Sequence, residues 1–165
     1  MDNFINDIIK GLNGLNGNTA PGNKNWTMAI KKSLVDVANK NNLNIYCKLD
    51  EKYGKNHENS EWLYDAIMYS YNLEDGVFDE VYLVAESEWD MSYEAIEYDF
   101  LKLIFTRAKV RLIVYQVSKE NYDEYKESLI NIIQKSKSCE KGDIYLFAIY
   151  NTSDDGFDVE KIIKE

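Results

Sequence analysis

Three acidic side chains interrupt two apolar stretches in the middle of the chain. Asp65 lies within the run WLYDAIMYSY, and Glu86 and Glu88 end the run VYLVAESE. Acids are unfavourable within strands and costly to bury, and adjacent carboxylates repel one another, so this arrangement requires a compensating cation or a wet cleft. Carboxylate oxygens suit Mg²⁺ or Mn²⁺, which keep several waters and bind few protein carboxylates. We therefore predict that Asp65, Glu86 and Glu88 hold a divalent metal ion.

The side-chain phase of the two stretches predicts that these carboxyl groups converge. Side chains alternate with a period of two along a strand. One face of the first stretch then carries Leu63, Asp65, Ile67, Tyr69 and Tyr71, and one face of the second carries Tyr82, Val84, Glu86 and Glu88. The two glutamates would lie about 7 Å apart along their strand. The alternative is that Glu86 and Glu88 mark a strand end in solvent, with Asp65 on the exposed side of an edge strand.

The elements that must position these residues follow from the spacing of apolar side chains. Helical spacing predicts helices over 2–12, 26–40, 92–108 and 122–137. Runs rich in β-branched and aromatic residues predict strands over 43–49, 62–71, 78–89, 110–117 and 143–150, followed by a polar tail to residue 165. Short turns require antiparallel pairing, whereas the connection through the helix at 92–108 permits a parallel pair. The sequence therefore predicts an α/β fold with a mixed central sheet flanked by helices.

The spacing of apolar residues also predicts how the chain is divided into domains. We expect an N-terminal helix and a Gly- and Asn-rich loop over residues 1–25, and a single α/β domain over 26–165. His57 is the only histidine, so no histidine-based zinc cluster is expected, and it is predicted to lie in a mobile loop. The apolar stripes predict one core between sheet and helices, formed by Ile67, Val84, Phe100, Leu103, Leu112 and Val114.

Composition narrows the class of partner. The formal net charge of −10 counts against a protein that coats nucleic acid, although a local basic patch can coexist with an acidic remainder. Cys47 and Cys139 lie far apart and are expected to be reduced thiols. No apolar run reaches the ~20 residues of a membrane span, and no basic segment precedes an apolar one at the N-terminus. We therefore expect a cytoplasmic protein without a membrane partner.

The sequence resembles the PD-(D/E)XK nuclease superfamily in four consecutive segments. These are EWLYDAIMYSYN at 61–72, VYLVAESEWD at 81–90, EYDFLKLIFTRAK at 97–109 and VRLIVYQV at 110–117. The predicted order of elements over 26–117, somewhat over half of the chain, is similar to the αβββαβ core of restriction-endonuclease-like proteins. The resemblance implies that the first acid of the superfamily falls on Asp65 and its (D/E)XK triplet on Glu86, Ser87 and Glu88. Glu88 stands where the superfamily usually has lysine, and no proline precedes Asp65.

The resemblance also implies further site residues. Lys102, on the helix after the third strand, is the candidate for a relocated lysine, against the alternative of a solvated lysine on a helix surface. Gln116 ends the next strand, where related nucleases sometimes carry a glutamine near the site; a capped polar strand end is an equally good account of this residue. In a nuclease of this type the metal would activate a water and stabilise charge on the scissile phosphate.

Two functions follow as hypotheses. The first is a Mg²⁺- or Mn²⁺-dependent nuclease, or a nuclease-derived protein, that hydrolyses DNA phosphodiesters. The second is a catalytically inactive module of the same fold that binds a protein partner, as in immunity or defence systems. Net acidic charge, small size and the missing lysine motivate the second, because acidic proteins often neutralise basic nucleic-acid-binding partners. A basic surface beside Asp65 would favour the nuclease, and an acidic one would favour the binding module.

Overall fold

In the described part of the chain, a seven-stranded mixed sheet carries two helices on each face. The computed structural model describes residues 1–16, 22–72, 74–151 and 156–165. Parts of two predicted segments, at 17–21 in the Gly- and Asn-rich loop and at 152–155 in the polar tail, lie outside these ranges. The helices are α1 (Asp2–Asn13), α2 (Asn23–Lys40), α3 (Tyr93–Ile104) and α4 (Tyr122–Lys135). The strands are β1 (Asn44–Cys47), β2 (His57–Glu58), β3 (Ala66–Asn72), β4 (Val77–Glu88), β5 (Val110–Val117), β6 (Ile144–Asn151) and β7 (Gly156–Ile163).

The strand order is β2-β1-β3-β4-β5-β6-β7. The pairs β1–β3, β3–β4 and β6–β7 are antiparallel, whereas β1–β2, β4–β5 and β5–β6 are parallel. The parallel pairs β4–β5 and β5–β6 are each connected through a helix, as parallel neighbours require. The predicted α/β class with a mixed sheet flanked by helices is therefore confirmed.

Alternation along the strands divides the apolar residues between two cores. On one face, the buried side chains of α1 and α2 pack with Ala66, Met68, Leu83 and Ala85. On the other face, the buried side chains of α3 and α4 pack with the strand residues whose side chains point the other way, such as Ile67 and Val84. The prediction of one shared core is therefore wrong. Ile67, Val84, Phe100 and Leu103 belong to the α3/α4 face, and Leu112 and Val114 to the α1/α2 face.

Two strands were absent from the sequence-based prediction. The tail predicted to be polar forms β7, which pairs along its whole length with β6. The segment around His57 forms β2, and His57 is fully buried. Its Nε2 bonds to the carbonyl oxygen of Cys47 at 2.8 Å, and its Nδ1 accepts the amide N–H of Tyr53 at 2.8 Å. The prediction of a mobile loop is wrong, because these backbone contacts hold the imidazole inside the fold.

Helix α1 belongs to the α1/α2 core. It buries Phe4, Ile5, Ile8 and Leu12. Within the described ranges, no helix is long and apolar enough to cross a membrane.

A conservative substitution measures how firmly α1 is packed. Ile8 is fully buried, so Ile8→Val is expected to lower the free energy of unfolding by about 1 kcal/mol through the loss of one packed methylene. The matched control is Ile9→Val, because Ile9 is only partly buried, and urea denaturation is expected to show a smaller loss. Equal losses at both positions would contradict the packing of α1 described above.

Candidate functional site

Asp65 lies in the turn that precedes β3. Leu63 has a positive φ of 68°, and Trp62 and Tyr64 form an isolated antiparallel bridge. Asp65 precedes Ala66, the first residue of β3, so the regular alternation of the strand does not fix the direction of its side chain. The carboxylate instead lies against the end of β4, where its Oδ2 accepts the amide N–H of Ser87 at 2.8 Å and the hydroxyl of Ser87 at 2.7 Å.

The cation next to Asp65 comes from α2. Lys31 is 95% buried at its side chain, with Nζ at 3.3 Å from Oδ1 of Asp65 and 2.7 Å from Oε1 of Glu61. Burial lowers the pKa of Lys31, but the hydrogen bond to Glu61 and the charge of Asp65 outweigh burial and hold that pKa above its ordinary value. Two carboxylates thus surround one ammonium group, and this cluster keeps an excess of negative charge.

Glu86 extends from β4 toward the opposite face. Its Oε1 lies 2.8 Å from Nζ of Lys102 on α3, and the same ammonium group lies 2.8 Å from Oδ1 of Asp99. Burial raises the pKa of Glu86 to about 7, because the loss of hydration outweighs the stabilising contact with Lys102. Burial alone would lower the pKa of Lys102, yet its contacts with Asp99 and Glu86 raise it. Of the three predicted acids, Glu86 is therefore the one that Lys102 contacts.

The remaining predicted site residues support the loop after β4. Glu88 Oε1 accepts the amide N–H groups of Trp89 and Asp90, both at 2.7 Å, so this carboxylate is turned into its own loop. Gln116, near the end of β5, donates its amide to the carbonyl oxygen of Trp89. Both side chains fix the backbone that connects β4 to α3.

The three predicted ligands do not form a common donor set. Asp65 is paired with a lysine of α2, Glu86 with a lysine of α3, and those helices pack on opposite faces of the sheet. Across the described ranges, no group of three or more His, Cys, Asp or Glu side chains is placed to hold a metal ion. The predicted convergence on one ion is therefore wrong. That any of these acids binds Mg²⁺ or Mn²⁺ singly stays a prediction.

The arginines lie away from these acids. Arg107 and Arg111 line a cleft of about 550 Å³ beside the amino-terminal ends of β5 and β6, whereas Glu86 and Glu88 lie at the carboxyl end of β4. Each arginine is paired with an acid, Arg107 with Glu140 at 3.3 Å and Arg111 with Asp143 at 3.2 Å. The surface beside Asp65 and Glu86 therefore receives no positive charge from the arginines.

A cluster of aromatic rings lies on the α3/α4 face, over β1, β3 and the start of β4. We call it the aromatic surface and define it as Tyr46, Trp62, Tyr69, Tyr71 and Phe78. Trp62 and Phe78 stack with centroids 5.9 Å apart, and each is 49% exposed. A pocket of about 320 Å³ adjoins these rings, and it is lined by Tyr46, Ser60, Glu61, Trp62 and Phe78. This pocket adjoins the Lys31 cluster, because Glu61 contributes to both.

Sequence reasoning missed Lys31, Glu61 and Asp99. A signal for Lys31 is present in the helical pattern, since it lies one turn before the buried residues Leu34 and Val35. A charged residue on that face requires a partner, but the spacing does not identify which of the many acids it is.

Comparison of the chain with protein-family models, curated proteins and solved structures found no match.

Proposed function

We propose that this chain is a non-catalytic binding module on a restriction-endonuclease-like core and that its partner is a basic protein. The order α2-β1-β3-β4-α3-β5 supports this core, because it follows the αβββαβ pattern if the short strand β2 is left out. The pairings along β1-β3-β4-β5 are antiparallel, antiparallel and parallel. A fold alone does not decide activity. The proposal of a non-catalytic role therefore rests on the charge of the chain and on the contacts that the predicted site residues already make.

The observation that carries the proposal is a segregation of charge along the chain. Between Lys55 and Lys102 there are thirteen Asp and Glu residues and no Lys or Arg. This stretch supplies β3, β4, most of α3 and the turn that carries Asp65. Summed charge of one sign repels phosphates, attracts cationic partners and accelerates their association. A basic protein is therefore the class of macromolecule that this part of the molecule favours.

The contacts of the predicted site residues also favour a non-catalytic module. Lys31 and Lys102 already neutralise Asp65 and Glu86, and Glu88 accepts backbone N–H groups. Each acid of the predicted site is thus used in holding the structure together. A metal ion bound at Asp65 would have to displace Lys31 or share the carboxylate with it.

One contact favours the competing proposal of a Mg²⁺- or Mn²⁺-dependent nuclease acting on DNA. Lys102 reaches Glu86 from the helix that follows β4, which is where the resemblance to the superfamily placed a relocated lysine. A buried carboxyl whose pKa is raised to about 7 is also a frequent feature of catalytic sites. The two proposals make opposite predictions about metal.

Metal titration followed by thermal unfolding decides between them. For the binding module we expect Mg²⁺ and Mn²⁺ to leave the melting temperature of the wild type unchanged, and plasmid and single-stranded DNA to stay intact. A native metal site would instead add about 2.7 kcal/mol of stability at 100 times its dissociation constant.

Asp65→Asn is the variant to compare in the same titration. A metal-dependent gain in stability that this variant reduces, together with cleavage of DNA by the wild type and not by Asp65→Asn, would replace the binding-module proposal by the nuclease. Glu124→Gln, an exposed acid on α4, is the matched control and is expected to behave as the wild type in both assays.

A further inference from the structure

We propose that the aromatic surface is the docking site for the basic partner and that its pocket takes one arginine or lysine side chain of that partner. This inference rests on the proposed function and adds to it the surface where the partner binds and the kind of side chain that is bound there. Three aromatic side chains, Tyr46, Trp62 and Phe78, line the pocket together with the carboxylate of Glu61. A cation held over an aromatic ring is attracted by the ring quadrupole, and tryptophan provides the strongest such attraction.

The rings form a continuous platform. Tyr46 and Tyr69 stack with centroids 5.4 Å apart, and Phe78 contacts Tyr69 at 4.7 Å and Tyr71 at 5.7 Å. Tyr46 and Tyr69 are largely buried, so the platform is anchored in the α3/α4 core, while Trp62 and Phe78 remain half exposed. Rigid aromatic side chains at a surface lose little conformational entropy on binding, and tryptophan and tyrosine are enriched among residues that dominate interface energies.

The charge beside the pocket selects a cationic occupant. Glu61 shares the single ammonium group of Lys31 with Asp65, and its side chain is 53% exposed. A partner guanidinium or ammonium group placed beside Glu61 would compensate the excess negative charge of this cluster. Glu58 adds a further acid near the platform, as its influence on the pKa of Tyr69 shows: burial is the main cause that raises that pKa, and the charge of Glu58 raises it further.

The same charge disfavours two other occupants. Bases of single-stranded nucleic acid stack on aromatic platforms, but such sites combine stacking with a positively charged groove for the phosphates. The stretch that builds most of this platform contains no Lys or Arg between positions 55 and 102. A second copy of the chain would bring an identical acidic surface against this one, and juxtaposed like charges are unfavourable at interfaces.

Binding of labelled short peptides, measured by fluorescence anisotropy at physiological ionic strength, tests the inference. The probes are an arginine- and lysine-rich peptide, a glutamate-rich peptide of equal length and single-stranded oligothymidylate. We expect the full chain to bind only the basic peptide. Trp62→Ala is expected to weaken that binding by about three- to thirtyfold, the range that corresponds to one cation–π contact. Glu61→Gln is expected to weaken it as well.

Two controls separate this site from general attraction between opposite charges. Phe105→Ala removes an aromatic ring that is 73% exposed outside the aromatic surface, and Glu124→Gln removes an exposed acid on α4. Neither is expected to change the affinity by as much as Trp62→Ala or Glu61→Gln. Circular dichroism of each variant confirms that the fold is retained, and Trp62→Phe, which keeps an aromatic ring, is expected to restore part of the affinity.

Each outcome has one interpretation. Binding of the basic peptide that Trp62→Ala leaves unchanged would overturn the docking site while the binding module stands. Tighter binding of the oligothymidylate, lost in Trp62→Ala, would overturn the basic partner and assign the surface to nucleic acid. No binding of the basic peptide would overturn the inference as well. Cleavage of DNA in the metal-dependent assay described above would overturn the proposed function itself, independently of these results.

Discussion

Replacing Lys31 with methionine is expected to lower the free energy of unfolding by about 3 kcal/mol. Its ammonium group is almost fully buried and contacts Glu61 and Asp65. Methionine matches the length of the lysine stem, so packing is largely kept and the loss reports on charge. Without the ammonium group, Asp65 keeps its hydrogen bonds from Ser87 but no longer has a neighbouring cation. Urea denaturation monitored by circular dichroism measures the difference.

A second substitution tests the cause of this loss. In the double variant Lys31→Met with Asp65→Asn, the uncompensated carboxylate is also removed, so part of the stability is expected to return. Lys32→Met is the matched control, because Lys32 neighbours Lys31 on α2 but is exposed, and an exposed change is expected to stay within about 0.5 kcal/mol. If the two substitutions of the double variant simply add, the ion pair does not explain the role of Lys31.

Replacing Glu86 with glutamine is expected to change how stability depends on pH. The pKa of Glu86 is about 7 in the folded protein, above its ordinary value of 4.5, because the carboxyl group is buried. Below the ordinary value, the group is protonated in folded and unfolded chains and carries no penalty. As the pH rises toward and through 7, the unfolded chain ionises freely, whereas the folded protein must hold a buried charge. The wild type therefore loses stability with rising pH over this window.

The size of this effect follows from the two pKa values. Their difference corresponds to a loss on the order of 3 kcal/mol, complete somewhat above pH 7. The glutamine in Glu86→Gln cannot ionise. As the pH rises through this window, the free energy of unfolding of the variant is therefore expected to rise relative to that of the wild type by that amount. Its loss of the contact with Lys102 adds an offset that varies little over this range, since Lys102 still pairs with Asp99.

The control for this series is a carboxyl group in solvent. Glu124→Gln, on the outer side of α4, is expected to follow the pH profile of the wild type. Guanidinium denaturation at a series of pH values provides the unfolding free energies for all three proteins, with ionic strength dominated by the denaturant. Parallel profiles for the wild type and Glu86→Gln would show that burial does not raise the pKa of Glu86.

Most of the architecture was predictable because its determinants are local. Among the described residues, apolar spacing placed the four helices and five of the strands near their observed positions, including β4, where Glu86 interrupts an apolar run. Turn lengths and the long connection through α3 were enough to predict a mixed sheet. The two missing strands had weaker local signals. Strand β2 is only two residues long. Strand β7 mixes apolar with charged residues, a composition that is also typical of a solvated tail.

Side-chain direction was less predictable than strand position. A β-bulge near Tyr69 shifts the register between β3 and β4, so Tyr82 packs with Phe4 on the α1/α2 face, opposite to Val84. One extra residue in a strand reverses the phase of everything beyond it. Asp65 lies outside β3, which begins at Ala66, so strand alternation does not set its side-chain direction either. The convergence of the three carboxylates was predicted on the assumption that Asp65 lies within a regularly alternating strand, whereas Asp65 precedes β3 and its side chain contacts Ser87 and Lys31.

By itself, the sequence of this protein determined the α/β class, the order of most elements, the excess of acid between Lys55 and Lys102, and the position of Glu86 near the end of an apolar strand. These are properties of neighbouring residues or of composition. Only the tertiary structure decided that Lys31 neutralises Asp65, that Lys102 pairs with Glu86, and that Trp62 stacks on Phe78 beside Glu61. Each of these contacts joins residues more than a dozen positions apart, and their pairing depends on how sheet, turn and helices bury apolar surface together rather than on any local pattern.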